Sequence, residues 1–120
     1  MALKITNREV DGVTVLSLEG RIVLGEEAVA LRSKVKELLA AGKKKLVLDL
    51  KNITIIDSSG LDALVVAHTS SKSSGATLRL CNVGSRTNEL LQITRLVNVF
   101  EVSDSEADAM RALANAPSTD

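Results

Sequence analysis

Lys45-Leu46-Val47-Leu48-Asp49-Leu50, then Ile53-Thr54-Ile55-Ile56, then Asp57-Ser58-Ser59-Gly60-Leu61 is the stretch that decides the fold. Leu46 to Leu50 is apolar on nearly both faces, the pattern of a central strand covered by helices on either side. Beyond Asp57, the residues Leu61, Leu64, Val65 and His68 fall on one face of a helix, and a Ser/Lys-rich segment closes it at Gly75. A strand therefore feeds a helix across Asp57-Ser58-Ser59-Gly60. Working outward, Ala76 to Cys81 alternates as a strand and Ser85 to Arg95 repeats as a helix. Val97 to Val102 alternates again, and Ser103 to Ala114 reads as a helix opened by a Ser103-x-x-Glu106 capping box. Upstream, Ala28, Leu31, Val35, Leu38 and Leu39 mark a helix over Glu26 to Ala41, stopped by Gly42. Leu3 to Glu9 and Val13 to Glu19 are strands joined at Asp11-Gly12, a strong hairpin signal.

The order ββαβαβαβα predicts an α/β fold: a mostly parallel sheet with right-handed crossovers and an antiparallel N-terminal hairpin. In such sheets sites gather beyond the carboxyl ends of the strands, where Asp57 to Gly60 would sit. A chain of 120 residues supports one core, expected over 1–114 with a flexible tail at 115–120.

Composition excludes several functions. Fifteen Lys plus Arg balance fifteen Asp plus Glu, so direct nucleic-acid binding is not expected. Phe100 is the only aromatic residue, too few for base stacking or a cation cage. A single cysteine, Cys81, and a single histidine, His68, provide neither an internal disulfide nor a zinc set, so no metal or cofactor is expected. No apolar run reaches signal or spanning length, and the expected location is the cytoplasm, without membrane insertion.

Ser58 beside Asp57 invites a hydrolase reading, which fails for want of a base. His68 lies ten residues further along the same helix, about 15 Å at 1.5 Å per residue. It completes the apolar stripe instead. Lys43 to Lys45 carry no phosphate-loop pattern and suit a helix C-terminus, as Glu26 and Glu27 suit an N-terminus. Cys81 lies in an aliphatic pattern and behaves as a small apolar residue. An enzyme is not expected. Asp57 or Ser58 would cap the helix, yet three small polar residues and a glycine exceed what a cap requires.

Ile55-Ile56-Asp57-Ser58-Ser59-Gly60-Leu61 resembles the signature of the bacterial anti-sigma factor antagonists, single-domain proteins of the STAS family. The first hairpin ending near Gly20, the Leu46 to Leu50 strand and the late Leu90-Leu91-x-x-Thr94 helix follow the family order. The resemblance implies a STAS fold and an interaction module. It implies phosphorylation of Ser58, with Ser59 as second choice, by a serine kinase that is itself the anti-sigma factor. The unphosphorylated form would capture that kinase and free the sigma factor, and a serine phosphatase would reset the cycle. Asp57, Ser58, Ser59, Gly60, Leu61 and Asp62 would shape the partner surface, with Gly60 allowing a kinase backbone to approach. The protein would be a monomer or weak homodimer. Val23 stands where many members carry an acid, and Asp62 where several have glycine. The alternative role for this fold is an accessory subunit of a membrane lipid transporter or larger signalling complex, binding without phosphorylation.

Overall fold

Asp11 and Gly12 both adopt positive φ, 51° and 81°, the geometry that turns a two-residue hairpin with the twist of its strands. They join β1 (Leu3–Val10) to β2 (Val13–Ile22), paired antiparallel from Leu3 opposite Gly20 to Val10 opposite Val13. The rest of the chain, in a computed structural model that describes residues 3–114, alternates helix and strand. It runs α1 (Glu26–Ala40), β3 (Lys45–Ile56), α2 (Ser58–Ser73), β4 (Thr77–Cys81), α3 (Ser85–Ile93), β5 (Glu101–Ser103) and α4 (Glu106–Ala114). The sheet order is β1-β2-β3-β4-β5, parallel from β2 onward, as the element pattern predicts. The tail expected at 115–120 lies outside the described residues.

The two faces of the sheet are written in alternate residues. Leu16 and Leu18 of β2, Leu46, Leu48 and Leu50 of β3, and Leu78 and Leu80 of β4 pack with buried residues of α1, α2 and α3. The intervening Val13, Val15, Val47 and Cys81 pack with Ala109 and Leu113 of α4. Leucines fill the deep side under three helices, whereas smaller residues fit the side covered by one short helix.

Boundaries differ from the sequence reading, among them β2, which runs on past Glu19 to Ile22. Ser103 does not cap α4: it ends β5 opposite Cys81, and its hydroxyl accepts from Arg79 Nε at 3.0 Å. Ser105 is the cap, accepting from the Asp108 N–H at 3.1 Å. The strand expected over Val97 to Val102 shrinks to Glu101–Ser103, because Arg95 turns left-handed (φ 62°) into a 3-10 turn over Leu96–Asn98. That turn places Leu96 and Val97 against the main core, which their alternation had disguised. The preceding helix α3 stops at Ile93, where the Thr94 hydroxyl donates to the Leu90 carbonyl.

Candidate functional site

β3 runs unbroken for twelve residues, but β4 pairs only with Lys45 to Asp49. From Asn52 to Ile56 the strand is paired with β2 alone, through register shifts between Ser17 and Glu19 and between Gly20 and Arg21. The Thr54 hydroxyl donates to the Gly20 carbonyl at 3.0 Å and ties the two-stranded extension together. This extension carries Ile22 and Ile56 past the neighbouring strands and sets the β2–α1 loop beside the start of α2.

Asp57 locks these two segments to each other. Its extended backbone (φ −109°) makes it the N-cap of α2, and Oδ1 accepts from the Gly60 N–H at 2.9 Å. Oδ2 accepts from the Leu24 N–H at 3.0 Å, and the Asp57 N–H donates to the Ile22 carbonyl at 3.3 Å. Of the two capping candidates, Asp57 holds the role and Ser58 is left unoccupied by it. The amides of Leu24 first, then Gly60, hold the Asp57 carboxyl below its ordinary range, because they stabilise the charged form. A carboxylate held low in the fold stabilises it above its unfolded pKa of about 3.9, and that contribution is lost as pH falls through the folded value. The stability gap between wild type and Asp57→Asn should thus be widest near neutrality and narrow below about pH 4, checked by denaturant titration across that range.

Gly60 is buried directly behind the cap. A Cβ at this position would stand 2.1 Å from the Ile22 carbonyl oxygen and 2.7 Å from Ile56 Cγ1. The close backbone approach that the glycine allows is therefore internal, between α2 and β2. Leu61 is also buried, in the main core. The surface members of the motif are Ser58 and Asp62, both exposed, with Ser59 half-buried.

Around Ser58 the protein presents apolar surface. Leu24 and Val29 are 77% and 51% exposed, large values for side chains of this type. With Gly25, Ala28, Arg32, Ser58, Ser59 and Asp62 they line a shallow cavity of about 350 Å³ between α1 and α2. Arg32 Nη1 lies 3.9 Å from Asp62 Oδ2 across it. A second hollow continues along the same groove past Val29 and Arg32 to Lys36 and Val66. The contribution of α1 was missed by sequence reasoning. Its signal was the spacing Ala28-Arg32-Lys36, one flank of the helix beside the buried stripe of Leu31 and Val35. Val23 offers no acid to the site; its carbonyl accepts from the Ala28 N–H.

His68 takes no part in this geometry. Its ring meets Phe100 edge-on at 5.8 Å, far along α2 from Ser58. Cys81 is fully buried beneath α4, and burial together with Asp49 and Glu106 pushes its thiol up to about 12, so it stays neutral and unreactive. Among the described residues, no helix is long and apolar enough to cross a membrane.

The family model of the STAS domain matches residues 4–109, and the chain belongs to that family. The anti-sigma F factor antagonist of Paenibacillus polymyxa is 25% identical over 114 residues, covering 94% of this chain and 97% of its own. The crystal structure of an anti-sigma factor antagonist from Mycobacterium paratuberculosis superposes with a TM-score of 0.83 at 23% identity, covering 95% and 96% of the two chains. The antagonist SpoIIAA, at 15% identity, shares the fold in its unphosphorylated form (TM-score 0.74, 94% and 100% covered) and in the phosphorylated form from Bacillus (0.70, 91% and 98%).

Proposed function

We propose that this protein is an anti-sigma factor antagonist that switches partners by phosphorylation of Ser58. The carrying observation is the exposed Ser58 hydroxyl at the first position of α2, beside exposed Leu24 and Val29, on a loop that Asp57 fixes independently of it. A phosphoryl group adds about −1.5 to −2 charges. At a helix N-terminus the fold tolerates that charge, while an apolar surface nearby loses its fit for a partner. The names of the Paenibacillus relative and of SpoIIAA, solved with and without phosphate, support the same role. In its unphosphorylated form the protein would hold an anti-sigma serine kinase and release the sigma factor; a serine phosphatase would restore it. Buried Gly60 and Leu61 and half-buried Asp57 act as the frame of the site, and Ser59 and Asp62 border it. In this role the chain binds rather than catalyses, and it would act in the cytoplasm as one domain over 1–114.

Affinity capture from native lysate, with wild type and Ser58→Glu side by side, tests this reading. Wild type should retain a serine kinase, and Ser58→Glu should bind the purified kinase at least about tenfold more weakly, a loss of about 1.4 kcal/mol. Retention of transporter subunits equally by both proteins would contradict it.

A further inference from the structure

We infer that, once Ser58 is phosphorylated, Arg32 of α1 leaves Asp62 and holds the phosphate within the same chain, an inference that rests on the phosphorylation reading above. Among the described residues, Arg32 is the one cation lining the cavity onto which Ser58 opens. Its guanidinium lies 3.9 Å from Asp62, too far for a hydrogen bond, so this ion pair is loose and easily exchanged. The side chain is only 35% exposed and lines the cavity together with Ser58 and Asp62.

The head of α2 leaves the phosphate in need of such a partner. The Gly60 amide, which would otherwise face an anion there, already donates to Asp57 Oδ1, and the Leu24 amide of the neighbouring loop donates to Oδ2. Two carboxylates, Asp57 and Asp62, border the serine from α2 and its cap. A dianion placed among them gains most from a planar fork of N–H donors, which matches phosphate oxygens bidentately. Carrying up to twice the charge of Asp62, the phosphate competes with it for the same guanidinium. The exchange would leave Asp62 unpaired at the cavity and turn the arginine toward Ser58, so one modification alters three groups of the presented surface.

Phosphoserine encoded at position 58 during translation makes the test independent of any kinase. The phosphate of the wild-type protein, followed by phosphorus NMR against pH, should show a second pKa about one unit lower than in the Arg32→Gln variant. Arg32→Lys, which keeps the charge and loses the fork, should fall between the two. Equal midpoints in all three proteins would overturn the inference. A kinase that ignores Ser58 would defeat the phosphorylation reading and leave this titration unchanged, so the two failures are distinguishable.

Discussion

Gly60→Ala is expected to destabilise the protein by about 3 kcal/mol, and a domain of this size then loses on the order of 10–20 °C in Tm. The reason is the 2.1 Å that would separate the new methyl group from the Ile22 carbonyl. That oxygen belongs to a paired strand backbone and cannot rotate away as a side-chain tip could, so the start of α2 must move instead. Movement of α2 pulls the Gly60 amide from Asp57 and, through the same carboxylate, releases Leu24. Thermal unfolding and amide exchange at Leu24 would report the two consequences together. A Tm within 2–3 °C of wild type, under about 1 kcal/mol, would show that the approach of α2 to β2 is not close-packed.

Leu48→Ala is expected to cost a similar amount, about 2–5 kcal/mol, by the opposite route. Leu48 lies between Leu16 on β2 and Leu80 on β4, three fully buried leucines in one row across the sheet. Strands hydrogen-bonded on both sides cannot close in on the vacated volume, which favours the upper part of the range. Denaturant unfolding checks it: a midpoint lowered at unchanged slope is the expected result, and an unchanged midpoint would contradict the position of Leu48 in the core.

The parts of the fold that were legible in the sequence are those governed by periodicity. Leu46 to Leu50 announced a strand buried on both faces because its leucines and valine do alternate between two helix layers. Asp11-Gly12 announced the hairpin because few other pairs adopt two positive φ values cheaply. Where local signals were duplicated, the sequence could not choose. Ser103 and Ser105 are both competent caps, and only the demand of β5 for a partner to Cys81 assigns the second to α4. Val97 and Val99 mimic a strand, and only packing of Leu96 and Val97 on the core reveals the turn.

The same division runs through the candidate site. Asp57, Ser58, Ser59 and Gly60 are contiguous and were visible as a motif. The surface they share with Leu24, Val29 and Arg32 was not, since it arises where the long extension of β2 and β3 brings α1 against the head of α2. The role of Gly60 was also hidden, because sequence cannot distinguish a glycine that admits a partner from one that admits the chain's own backbone.

The partner switch depends on which hydroxyl carries the phosphate. Incubation of the protein with the anti-sigma kinase and ATP, followed by intact-mass measurement and fragmentation mapping, addresses it. The predicted result is a single phosphoryl group on Ser58, absent from Ser58→Ala, with the modified protein failing to hold the kinase. No incorporation, or a phosphate on Ser59 or elsewhere with Ser58 unmodified, would contradict the account.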